Sequence, residues 1–176
     1  MKKIIFLFAF LCIQSIGYSQ LNFGANGILH FPVADFKLES NLVIGGAASI
    51  GYTFDKRLDL SLVYTLYNYS SGSAFGLNSK TVEAKFFFLN GDTRPYIGCG
   101  VGSFRKSITS SLLPKYVEDV WGFEPKAGIL LDSKSLKDLF VDVSVSYMYA
   151  KTKFNAPKAF NLAVGLKYMI KGRKSN

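Results

Sequence analysis

The residues whose types and spacing could do chemistry are two acid–base doublets, Glu83 with Lys85 and Glu124 with Lys126, each pair separated by a single residue. Side chains two apart share one face of an extended chain and do not face each other on a helix. Asp59, Asp142 and Lys167 stand in segments of the same alternating character. Seven charges on one phase of a set of strands are read first as a salt-bridge network that fills an interior. The competing reading is a gated ion path, in which the same pairs exchange partners. His30 is the only histidine, no His, Cys or carboxylate grouping has metal-ligand spacing, and no cofactor is expected.

Those charges need strands to hold them. Read in steps of two, the segment from Leu42 to Phe54 puts Leu42, Ile44, Gly46, Ala48, Ile50, Tyr52 and Phe54 on one face. The other face carries Val43, Gly45, Ala47, Ser49, Gly51 and Thr53, all but Val43 small or polar, which is the alternation of a strand with two unlike sides. Leu58 to Leu66 repeats the pattern, and only Asp55, Lys56 and Arg57 separate the two segments, so a tight hairpin joins them. Leu21 to Phe31, Lys80 to Leu89, Pro95 to about Arg105, Asp119 to Leu131, Leu139 to Ala150 and Ala159 to Ile170 complete a set of eight. Each is near the length that a tilted strand needs to cross hydrocarbon.

The phase of the charges says which side meets lipid. Asp59, Glu83, Lys85, Glu124, Lys126, Asp142 and Lys167 all lie opposite the apolar set, while Val82, Ala84, Phe86 and Phe88, or Val141, Val143, Val145 and Tyr147, carry none. A soluble sandwich or lipocalin-like barrel would put its charges outside and its apolar phase in the core. Phe31, Tyr64, Trp121, Tyr149 and Phe160 fall near one set of strand ends and Phe23, Phe54, Phe88 and Tyr168 near the other, as two interfacial girdles would. The fold class expected is therefore all-β, an eight-stranded antiparallel up-and-down transmembrane barrel.

The start of the chain agrees. Lys2 and Lys3 precede an apolar run from Ile4 to Ile13, too short to span a bilayer, and Gly17 and Ser19 supply the small residues of a cleavage site. Residues 1–19 are expected to be a cleaved secretory signal peptide and residues 20–176 a barrel in the outer membrane. Lipoprotein processing at Cys12 is disfavoured by Leu11 before it. With the signal gone, Cys99 stands alone and an internal disulfide is excluded. The whole chain is 15% aromatic with 16 Gly and a positive mean hydropathy, and past the signal it has no second long apolar run. Closed barrels and helices alone satisfy every backbone hydrogen bond in lipid, so this apolar content must be spread along strands.

Two stretches carry a resemblance. Arg94-Pro95-Tyr96-Ile97-Gly98-Cys99-Gly100-Val101-Gly102 resembles the Pro-Tyr-x-Gly-x-Gly-x-Gly strand of small outer-membrane barrels of the OmpA and OmpW type, and Trp121 to Ile129 resembles the strand that follows it there. Gly98, Gly100 and Gly102 leave almost no volume on one face, making room for large inward groups. The last strand, Phe160 to Ile170, resembles the C-terminal signal read by the outer-membrane insertion machinery, although it ends in Ile and is followed by Lys171 to Asn176. Lipid A-modifying barrels place a Ser or Asp with a His at the outer rim, so His30, with Asp35 or Ser40, is the one enzymatic candidate; a polar rim residue is the plainer reading.

The formal charge of +9 raises nucleic acid as a partner, which the compartment and the lack of a binding motif exclude. Arg105, Lys106, Lys115, Lys151, Lys153 and Lys158 fall in expected outer loops, where they would meet lipopolysaccharide phosphates or simply keep the loops soluble. The expected function is a non-enzymatic envelope role, structural or as a surface for another envelope protein. A small channel or transporter is the alternative.

Overall fold

A computed structural model describes residues 20–33, 42–68, 74–109, 116–151 and 157–170. The proposed signal peptide and Asp35, Ser40, Lys115 and Lys153 lie outside them. Eight strands follow in chain order: β1 (Gln20–Pro32), β2 (Val43–Phe54), β3 (Leu58–Asn68), β4 (Ala74–Phe87), β5 (Thr93–Thr109), β6 (Tyr116–Asp132), β7 (Leu139–Ala150) and β8 (Lys158–Ile170). Each pairs antiparallel with its neighbours in sequence, and β8 pairs with β1 to close the barrel. This is the up-and-down topology expected from the alternation.

Closure sets a stagger. A row of cross-strand partners runs from Phe23 through Ile50, Leu62, Val82, Val101, Phe123 and Tyr149 to Lys158. Phe23 also faces Tyr168, so the row returns to β8 ten residues away from where it left. Such a shift tilts every strand across the wall and keeps an eight-stranded barrel narrow, so its bore is filled by side chains. Close approach of neighbouring strands demands glycine at two places. A Cβ on Gly102 would stand 2.0 Å from the Lys80 carbonyl oxygen, and one on Gly165 would stand 2.2 Å from that of Ala25. The β2–β3 hairpin turns on Asp55 and Lys56, both at positive φ (45° and 58°), as a type I′ turn requires.

The wall separates its two faces. Leu62, Val82, Val145 and Val164 are 51–61% exposed on the outside, whereas Asp59 and Lys167 are 0% and 3% exposed on the inside. Phe31, Tyr64, Trp121 and Phe160 stand exposed toward the end formed by the longer connections, and Phe23, Phe88 and Tyr168 toward the other.

Three strands are longer than the sequence pattern suggests. β4 begins at Ala74 instead of Lys80, β5 continues to Thr109 and β6 starts at Tyr116, so seven residues of the thirteen-residue loop expected from Lys106 to Glu118 are strand. Beyond the apolar wall both faces of a strand meet water, and the contrast that reveals strands in a sequence disappears while the hydrogen-bond ladder goes on.

Candidate functional site

The bore is filled in three storeys. Toward the long-connection end, Ile28, Val43, Tyr67, Leu77, Phe104 and Met148 form a buried apolar cluster with Val120, Ala150 and Ala159. Toward the other end, Phe87, Tyr96, Leu130, Phe140 and Met169 form a second. Between them lies a polar belt built from strands that are far apart in sequence.

Its charges divide into three groups. Glu83 accepts from Lys126 and pairs with Lys85 at 3.2 Å; Lys85 continues to Asp142 at 3.1 Å, and Asp142 accepts from the Tyr96 hydroxyl at 2.7 Å. The Lys85 ammonium also lies 4.9 Å from the Tyr96 ring centroid. Separately, Asp59 accepts from Lys167 at 2.8 Å, from Asn22 at 2.7 Å, from Thr53 at 2.7 Å and from Ser61. The seven charges comprise four carboxylates and three ammonium groups, so one acid must find neutral donors. That acid is Glu124, which accepts from Ser146 and, at 3.0 Å, from Asn161. With the Asn161 amide nitrogen donating to Glu124, its oxygen faces His30 Nδ1 at 2.6 Å, which makes Nδ1 the protonated nitrogen of the ring.

The local geometry explains why β5 carries glycines. In register, Gly100 lies between Glu83 and Glu124, and Gly98 between Lys85 and Lys126. Like charges therefore flank each glycine across the strands, and attraction runs on the diagonal, from Lys126 on β6 over β5 to Glu83 on β4. A side chain at Gly98 would crowd the backbone of β4, 2.6 Å from the Ala84 carbonyl oxygen, whereas Gly100 has ordinary contacts around it. The Lys85 stem passes 3.2 Å from where a Gly98 Cβ would stand. The space left within the belt is about 20 Å³, bordered by Glu83, Glu124, Thr65 and Asn161, room for about one water.

The structure thus brings all seven sequence-selected charges to the interior, although as three groups instead of one cluster. Asn22, Thr53, Tyr96, Ser146 and Asn161 complete them and were not singled out in the sequence. Inward phase marks each of them, but only the register shows which acid each one meets. His30 is no rim residue: it is fully buried, with its ring 4.4 Å from that of Tyr67 in the outer cluster region.

The outer cations fare unevenly. Lys106, expected in a loop, is 5% exposed on the inward phase of β5, because the ladder and its alternation continue past Arg105. Arg105 faces outward above the apolar band and grips Asp119 across the hairpin with two bonds of 2.8 and 2.9 Å. Lys151 is exposed, and Lys158 lies 5.7 Å from the Tyr149 ring centroid. Among the described residues no three of His, Cys, Asp and Glu gather as a metal-ligand set.

No family model and no curated protein matches the chain. Solved structures do. Neisserial surface protein A superposes with a TM-score of 0.72 at 18% identity over 84% of this chain and 96% of that one. The N-terminal β-barrel domain of Pseudomonas aeruginosa OprF gives 0.56 at 19% identity over 85% and 99%. Ail, the attachment invasion locus protein of Yersinia pestis, gives 0.55 at 16% identity over 88% and 99%, and has also been solved in complex with the heparin analogue sucrose octasulfate. What this chain shares with them is the fold, the small closed eight-stranded barrel.

Proposed function

We propose that the chain is a non-enzymatic outer-membrane barrel whose filled bore makes it a rigid scaffold, with its long connections as a contact surface for the envelope. The observation that carries this reading is the polar belt closed off by an apolar cluster at each end. Ions crossing the bore would have to part both clusters and break paired, buried charges, each step costing several kcal/mol. Purified protein in planar bilayers is therefore expected to give a silent baseline, with at most brief flickers. Sustained open channels would overturn the scaffold in favour of a channel.

The outward cations Arg105, Lys151 and Lys158, with Lys115 and Lys153, are contacts for lipopolysaccharide phosphates in this reading. The same fold in Ail has been solved with an anionic ligand, which supports an anionic partner here. The insertion machinery would read β8, and export would remove residues 1–19. Intact-mass measurement of protein extracted from envelopes should give a chain starting at Gln20. A species retaining Met1, or one carrying lipid on Cys12, would refute that processing.

A further inference from the structure

On the outer wall, the apolar face has a notch two strands wide. In register, Tyr64 on β3 faces Lys80 on β4, Lys80 faces Ser103 on β5, and Ser103 faces Trp121 on β6. Alternation puts all four on the lipid-facing phase. One step down, the same strands show Leu62, Val82, Val101 and Phe123. The two flanking strands are still apolar in this row, with Tyr64 on β3 42% exposed and Trp121 on β6 74% exposed, more than any other large apolar side chain described. Only β4 and β5 turn polar early, at Lys80 and Ser103.

Beneath that notch is a groove of about 670 Å³ with almost wholly apolar walls, lined by Ile50, Leu62, Tyr64, Val82, Val101 and Trp121, with Lys80 at its head. A lysine here is costly unless its long stem carries the ammonium to the polar edge. Asp119, one step above Trp121 on β6, is already held by Arg105 at 2.8 Å. The notch therefore presents a positive charge directly above an apolar trough.

We propose that this wall holds one lipid A-type lipid of the outer leaflet, with a phosphate on Lys80 and an acyl chain in the groove between Tyr64 and Trp121. The proposal rests on the outer-membrane reading and deepens it, since it places the lipid on the barrel wall instead of on the loops. Both halves of such a lipid are matched: a phosphate oxygen complements the ammonium, and a chain fills the space between two aromatic side chains. Ser103 supplies a hydroxyl beside the same headgroup.

The test is native mass spectrometry of folded protein released from bilayers doped in turn with lipid A, dephosphorylated lipid A or phosphatidylglycerol. Retention of lipid A over both others is expected. Lys80→Gln should weaken retention about fivefold, the effect of one cation near a lipid surface. Val101→Phe should lower it by filling the groove without touching charge, whereas Lys56→Gln, in the opposite turn, should leave it unchanged. Equal retention of phosphatidylglycerol, or no response to Lys80→Gln, would overturn the site. A chain that does not fold into the bilayers at all, seen as full protease digestion, would instead overturn the outer-membrane reading.

Discussion

Asp59→Leu should cost about 3–5 kcal/mol of stability, the penalty of leaving a buried ion without its counter-charge. Asp59 is 0% exposed, and its carboxylate gathers Lys167, Asn22, Thr53 and Ser61 from β8, β1, β2 and β3. Removing it strands the Lys167 ammonium, itself 3% exposed, deprives the Thr53 and Ser61 hydroxyls of their acceptor and leaves the Asn22 amide only that of Thr53. Replacing both partners, as in Asp59→Leu with Lys167→Met, should recover the share of the loss due to the stranded ammonium, because well-packed apolar groups substitute for a buried pair at little cost, and leave the share of the neutral donors. Denaturant titration in lipid vesicles, followed by the fluorescence of Trp121, the single tryptophan, measures both. A single variant within about 1 kcal/mol of the parent would show that the belt does not hold the barrel together, since buried pairs broken on one side cost more.

Val145→Arg should be comparably damaging for the opposite reason. Val145 is 57% exposed at the middle of β7, beside Ala127 and Leu162. In a soluble barrel an arginine there would be harmless or even help solubility. In a bilayer midplane it costs about 2–4 kcal/mol, so insertion into vesicles should fall sharply while Val145→Leu behaves as the parent. The readout is the fraction of protein protected from protease at fixed lipid. An arginine variant that folds and inserts as well as the parent would mean that this face does not meet hydrocarbon, and the outer-membrane reading would fall.

The fold was legible in the sequence because an apolar outer wall around a polar bore writes it there. Leu62 must be apolar and Asp59 must be hidden, so a period of two with charges on one phase marks the wall, its inner face and its strand count. Legibility stopped where that pressure stops. Residues 74–79 and 106–109 continue as strands beyond the apolar band, and Lys106 turned from an expected loop cation into an inward, buried residue. Of the candidate site, the identities of the inward charges were readable but their partners were not. Nothing in the spacing of Glu124 says that it meets Asn161 on β8 instead of Lys126 two residues on. That choice is made by the register, in which Lys126 reaches Glu83 on the diagonal over β5. Lys80 escaped notice for a related reason, since it read as the first residue of its strand and only the rows on either side show it indenting the apolar face.

The bond between Asp59 and Lys167 joins residues 108 apart in the chain. Asp59 stands on β3 and Lys167 on β8, so the ammonium reaches its acid past β1 and β2. A sheet of β1 to β7 without β8 would hold Asp59 on its inner face without that ammonium. Closure by β8 therefore completes an ion pair as well as two hydrogen-bond ladders.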